Sequence, residues 1–259
     1  MTTPSPQLPF DLAAAMAHLS AKDEKLAPLI AEMAKFEIDT TVAQSPYEAL
    51  MESIAYQSIS GKAAATIFAR IKALGANGRP PSPEQMLKLS KRALRKAGLS
   101  GAKVLAMKDL AAKTLQGIVP TREGACKMSD EELVERLVSV RGIGAWTVEM
   151  FLIFNLGRPD VLPIHDLGVK KGWSVTYGKK RMPKPKELLA FGEQWRPYRT
   201  IASWYMWRAF ERAGYAVTNK ILPAKIRRKH KPAARRKPGR RRPSGSNKPK
   251  VATARKPKT

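Results

Sequence analysis

The stretch Leu137-Val138-Ser139-Val140-Arg141-Gly142-Ile143-Gly144-Ala145-Trp146-Thr147-Val148-Glu149-Met150 reads as two helices joined by a glycine hairpin. Upstream, Ser129 and Glu132 have the spacing of a capping box, and Leu133, Val134, Leu137 and Val138 recur at helical intervals. Together they predict a helix running to about Val138. Arg141-Gly142-Ile143-Gly144 ends it. Two glycines flanking an aliphatic residue permit a tight turn and leave backbone amides free at the start of the next helix, a place that suits a phosphate. That second helix, about Ala145 to Asn155, is apolar nearly all round through Trp146, Val148, Met150, Phe151, Leu152, Ile153 and Phe154, so burial is expected, with Gly157 as C-cap. Taken alone, such a turn between antiparallel helices serves packing as readily as phosphate binding.

Beyond the hairpin comes Asp160-Val161-Leu162-Pro163-Ile164-His165-Asp166-Leu167-Gly168-Val169-Lys170-Lys171-Gly172. Asp166 has the position of an N-cap for a helix beginning near Leu167, and a helix N-terminus is a favourable place for a carboxylate charge. Residues 179–185 read as a basic, proline-bearing loop. Pro197 is expected to start a last helix carrying Ile201, Trp204, Tyr205, Trp207, Ala209 and Phe210, closed by Gly214.

On the amino-terminal side, one helix is expected from Asp11 to about Lys35, followed by an extended connection from Ile38 to Gln44. Ser45-Pro46-Tyr47-Glu48 opens a helix through Leu50, Met51 and Ile54. The pattern breaks at Gln57-Ser58-Ile59-Ser60-Gly61, where Ser60 can cap a second helix toward Gly75, so Gln57 to Ile59 sit on a helix-helix corner. Ser82-Pro83-Glu84-Gln85 caps a further helix, Gly98 ends a short one, and Ala102 to Leu115 reads as helix. No alternating strand of useful length and no solenoid-period repeat is present, which makes the body all-α.

Composition narrows the partners. The 259 residues are long enough to bury a core, yet carry a formal charge of +27, too basic for solubility alone, so a polyanion is expected, nucleic acid first. Residues 220–259 hold seventeen Lys or Arg and no acid, which leaves about +10 on residues 1–219. Such a segment cannot bury enough apolar surface to offset ordering entropy, so a disordered basic tail is expected after a helical domain spanning 1–219. Cys126 is the only cysteine, which excludes an intramolecular disulfide and an iron–sulfur cluster held by four cysteines. His18, His165 and His230 lack ligand spacing, so neither a zinc site nor a Ser-His-Asp triad is supported. No run of about eighteen apolar residues and no basic-then-apolar leader occurs, so neither membrane insertion nor secretion is expected.

The hairpin, followed by Asp166 twenty positions beyond Trp146 in a Pro-x-x-Asp-Leu-Gly context, resembles the helix-hairpin-helix base-excision DNA glycosylases, the HhH-GPD superfamily. Within it, the chain is similar to the 3-methyladenine DNA glycosylase II family. The resemblance covers about residues 12–215, most specifically 47–65, 98–111, 130–172 and 195–207. It implies two helical subdomains flanking an active-site cleft, with the hairpin unit at about 130–156.

The chemistry agrees with the resemblance. Breaking a base–sugar bond develops positive charge on the sugar, which calls for a fixed carboxylate. In the family, the position of Asp166 is that catalytic carboxylate. The position of Trp146 is Lys in relatives that form a Schiff base and cut the strand, and aromatic in those that only remove the base, so a monofunctional enzyme acting on alkylated purines is implied. The family pattern puts Trp146, Met150 and Trp207 at the base pocket, Trp207 as the platform for a flipped, positively charged base. Core packing is the competing reading of both tryptophans.

Two departures stand out. Met150 replaces the pocket aromatic of some relatives, and Ser58 stands where others insert an aliphatic wedge, leaving Gln57 and Ile59 to share that task. Gly142, Gly144, Lys170 and Lys171 are the expected phosphate contacts. In the family, hairpin carbonyls hold a monovalent metal ion, here those of Val138, Val140 and Ile143; no other cofactor is implied. The expected partner is double-stranded DNA containing alkylated bases, and the protein is expected to be a monomer in a bacterial cytoplasm, at the nucleoid, rather than in a nucleus. A non-catalytic DNA-binding or nucleoid-associated protein is the alternative.

Overall fold

Polar caps mark where the helices begin. In the computed structural model, which describes residues 9–33, 36, 38 and 44–214, Asp11 accepts from the Ala13 and Ala14 amides to open α1 (Leu12–Lys22). The expected extended connection falls mostly outside the described residues, and the basic tail wholly so. The single helix expected up to Lys35 is interrupted at Asp23, whose extended backbone ends α1. The Asp23 carboxylate accepts from the Lys25 and Leu26 amides to start α2 (Leu26–Glu32). Ser45 and Glu48 form a reciprocal capping box at α3 (Pro46–Tyr56), and Ser60 caps α4 (Gly61–Lys72).

Further serines and a threonine do the same for α5 (Pro83–Lys88), α6 (Lys91–Lys96), α7 (Gly101–Leu115), α8 (Arg122–Lys127) and α9 (Asp130–Val138). The hairpin turns at Gly142, φ +78°, a conformation that suits glycine, and α10 (Ala145–Phe151) follows. It widens into a π-helical turn, Leu152–Leu156, before ending on Gly157 at φ +70°. Then come α11 (Leu167–Thr176), α12 (Pro185–Gly192) and α13 (Arg199–Arg212), which begins two residues beyond the expected Pro197. Among the described residues there is no strand and no helix long and apolar enough to cross a membrane.

The helices pack in two groups. In one, α3 lies on α4, α7 and α10, with α5 and α6 on α7 and α9 on α10; in the other, α13 is the centre, against α1, α2 and α11. Every residue of α13 from Thr200 to Phe210 is buried. Its contact with α11 is close because α11 presents two glycines: a Cβ on Gly172 would lie 1.9 Å from the Met206 carbonyl oxygen, and one on Gly168 2.7 Å from Trp207 Cδ1. That approach brings the Trp207 indole to the first turn of α11. Buried Asp23 ties in the amino-terminal helices, accepting from Trp195 Nε1, at 2.8 Å, and from the Tyr177 hydroxyl.

Candidate active site

Asp166 is the N-cap of α11 and is 5% exposed. Its Oδ1 accepts the Val169 amide at 2.8 Å, as an N-cap should, and also the Nε1–H of Trp207 at 2.8 Å. Its Oδ2 accepts the Nε1–H of Trp146 at 2.9 Å. Three donors on three helices therefore fix both oxygens, and hydrogen bonds to an ionised acceptor are the stronger kind. Trp146 comes from the α3–α10 group, Val169 and Trp207 from the other, so the carboxylate lies on the seam between them. The loop leading to it is braced at Asp160, which receives Arg199 Nε at 2.7 Å and Arg196 Nη1 at 2.7 Å, and at Val161, whose amide donates to Thr200 Oγ1.

The three residues expected at the base pocket separate. Trp146 is half-buried and keeps some surface beside Asp166. Trp207 is 1% exposed and stacked on Phe154, with ring centroids 5.6 Å apart, so it does not offer the open platform that was expected; its edge holds the carboxylate instead. Met150 is 2% exposed and packs in the core, because the apolar α10 is enclosed on that side. Neither indole–carboxylate bond was anticipated.

Glu149 was missed altogether. It is the only charged residue between positions 145 and 156, one helical turn beyond Trp146, and that isolation in an apolar helix was a readable signal. Burial, with Asp166's negative charge beside it, pushes its carboxyl up to about 7. Its buried Oε2 has no hydrogen-bond partner.

The residues expected at DNA divide into a connected pair of turns and a separate helix face. Gln57 Nε2–H donates to the Gly142 carbonyl at 2.9 Å, joining the corner after α3 to the hairpin. Ser58 is exposed at φ +57°, a strained conformation for a non-glycine residue, and Ile59 packs against the core. Lys103 Nζ donates to the Ala55 and Gln57 carbonyls, each at 2.8 Å, and so holds the corner from beneath; burial pulls its ammonium below the usual lysine range. Gly142 and Gly144 are exposed. Lys170 and Lys171 are half-buried on α11, with Lys171 Nζ 5.9 Å from the Phe210 ring centroid.

Behind the hairpin, Asp109 accepts the Arg141 amide at 2.7 Å and pairs with Lys113, whose ammonium also donates to the Ser139 carbonyl. The Val140 carbonyl accepts the Ile143 amide at 3.0 Å. A carbonyl oxygen has a second lone pair, so this bond leaves the Val140 carbonyl able to accept a further partner.

Residues 51–197 match the family model described as HhH-GPD superfamily base excision DNA repair protein. The chain belongs to this superfamily. Among other HhH-GPD proteins, it is 37% identical over 209 residues to DNA-3-methyladenine glycosylase 1 of Schizosaccharomyces pombe, covering 80% of this chain and 91% of that one. The solved structure of the S. pombe 3-methyladenine DNA glycosylase in complex with abasic DNA superposes with a TM-score of 0.71, covering 78% of this chain and 99% of that one. A DNA-3-methyladenine glycosidase from Bacillus halodurans, 30% identical, gives a TM-score of 0.70 over 86% of this chain and 98% of that one. The HhH-GPD match takes in α9, the glycine hairpin and α10, and ends at Pro197, short of α13 and its Trp207.

Proposed function

We propose that this HhH-GPD protein is a monofunctional DNA-3-methyladenine glycosylase. It hydrolyses the N-glycosidic bond of alkylated purines in duplex DNA after base flipping, and leaves an abasic site without cutting the strand. The observation that carries the reading is the Asp166 carboxylate, fixed at both oxygens on the seam between two helical groups. The names of the S. pombe and B. halodurans relatives support it.

As the bond to the base lengthens, positive charge develops on the sugar, and a negative charge held without freedom to reorient stabilises that transition state more than the ground state. Asp166 supplies the charge. Water then adds to the sugar carbon, and the base leaves with the bonding electrons. A base alkylated at N3 or N7 already carries positive charge, so it departs neutral and is attracted to an indole face, here that of Trp146. An indole cannot form a Schiff base, which supports base removal without strand cutting.

The hairpin amides at Gly142 and Gly144, with Lys170 and Lys171, are assigned to phosphates, and Gln57, Ser58 and Ile59 to the space vacated by the flipped nucleotide. A sodium or potassium ion at the hairpin would be held by the Val138, Val140 and Ile143 carbonyls and would add positive charge facing a phosphate. We assign the working form as a monomer at a bacterial nucleoid.

Base release from methylated duplex DNA by wild-type protein and Asp166→Asn, with strand breaks scored before and after alkali, tests the reading. Release by wild type alone, with breaks only after alkali, is the expected result. Tight DNA binding without release would make the protein a damaged-DNA-binding module, and breaks before alkali would make it a lyase.

A further inference from the structure

We infer that Lys103 is a positioning residue for base extrusion: its ammonium locks the corner after α3 into the shape that holds a lesion out of an intact base pair. The inference rests on the glycosylase reading and on the assignment of Gln57, Ser58 and Ile59 to the space the flipped nucleotide leaves. Its test keeps extrusion apart from bond breaking.

The corner bends sharply and against local preference. Gln57 leaves α3 with ψ 137°, and Ser58 then takes φ +57°, which a residue with a Cβ resists. Ser58 is exposed and its side chain is short, so the backbone of the turn, rather than a bulky side chain, has to fill the gap in the stack. Such a wedge works only if it does not yield. Taking a base out of a duplex costs pairing and stacking energy, and the neighbouring bases close up again as soon as the wedge gives way.

Three contacts hold this backbone. Ser60 Oγ accepts the Ala63 amide at 3.4 Å and fixes the exit into α4. Gln57 Nε2–H donates to the Gly142 carbonyl at 2.9 Å and ties the corner sideways to the hairpin. The third comes from behind, where Lys103 Nζ donates to the Ala55 and Gln57 carbonyls, each at 2.8 Å. The last carbonyls of a helix have no donor within it. At α4 and α6 the amide of the cap residue closes the helix, whereas at the end of α3 a side chain 46 positions beyond Gln57 reaches in to do so.

The placement of Lys103 makes little sense for its own helix. It stands in the first turn of α7, where the helix dipole disfavours a cation, and its amide is already spent on the Ser100 cap. The negative end of α3 is what holds the ammonium. The side chain is half-buried, so a shift of the corner would leave a charged donor without acceptors in a place that water reaches poorly. That makes the joint stiff. The donors that fix Asp166 come from α10, α11 and α13, so loosening the corner leaves the carboxylate in place.

Single-turnover release of 7-methylguanine by saturating full-length protein is compared for a lesion paired with cytosine and for one in an unpaired bubble, where no pair has to open. Wild type should release the base from both. Lys103→Met, which keeps the apolar stem, should slow release about tenfold or more from the pair and less than about twofold from the bubble. Lys103→Arg, whose guanidinium can donate to both carbonyls, should recover most of the loss. Should thermal unfolding show that Lys103→Met does not fold, Lys103→Gln, which keeps an N–H donor, is judged by the same ratio. Equal slowing on both substrates reduces Lys103 to a structural contact and overturns the inference, as does unchanged release from the pair. Release from neither substrate by wild type overturns the glycosylase reading itself.

Discussion

Trp207→Phe keeps an aromatic ring against Phe154 and deletes only the N–H that reaches Asp166 Oδ1. A hydrogen bond to a charged group contributes about 1.5–3 kcal/mol, so base release should slow roughly 10- to 100-fold if that energy is expressed in the transition state. Single-turnover rates at saturating enzyme check this, and an unchanged rate would reduce Trp207 to packing. Asp166 itself was legible in the sequence, because an N-cap is recognised from its own few residues and the chemistry of the bond asks for a carboxylate. The tryptophans were legible as aromatic neighbours of the site, but not as donors to it. An indole edge is aimed by backbone placement, and nothing local to positions 146 or 207 states where that edge points. Glu149 follows the same logic: its isolation was visible, its orphaned oxygen was not.

At the scale of elements, the contact between α11 and α13 is the most exposed to substitution. Gly172→Ala would put a Cβ 1.9 Å from a backbone oxygen that cannot rotate away, so the helices must part. Overpacking of this kind costs about 1–3 kcal/mol and occasionally more, and about 3 kcal/mol corresponds to a Tm roughly 6–12 °C lower in a domain of this size. Gly144→Ala is the contrast, since its Cβ meets nothing within 4 Å and its φ is −100°, and thermal unfolding of the pair should show a loss for Gly172 only. Helix starts were largely readable, Ser45 with Glu48 and Ser82 with Gln85 among them, because caps are local hydrogen bonds. The short α8 and α12 were not read, since six to eight residues hold too few turns to establish a period. Asp23 falls inside the single helix expected from Asp11 to about Lys35, yet it accepts from Trp195, 172 positions away, and that tertiary bond favours the break.

For the whole molecule, charge sets how DNA is found and the seam sets what is done to it. Removing residues 220–259 takes away seventeen of the forty-eight basic residues. Binding to undamaged duplex at about 0.1 M salt should weaken at least roughly tenfold, with a shallower slope of log K against log salt, since each phosphate neutralised contributes about 0.9 to that slope. Base release in low salt should persist, and its loss would place part of the catalytic fold in the tail. The sequence by itself determined the helical class, the hairpin, the capping position of Asp166 and the basic charge, because each depends on a few adjacent residues or on a sum over all of them. Only the tertiary structure decided that indoles 20 positions before and 41 positions after Asp166 hold its two oxygens, that the Gln57 corner is tied to the Gly142 hairpin, and that half-buried Glu149 feels the carboxylate's charge. Those contacts exist because glycines let α11 and α13 approach and because two helical groups meet at one loop, and distances between remote segments are set by packing.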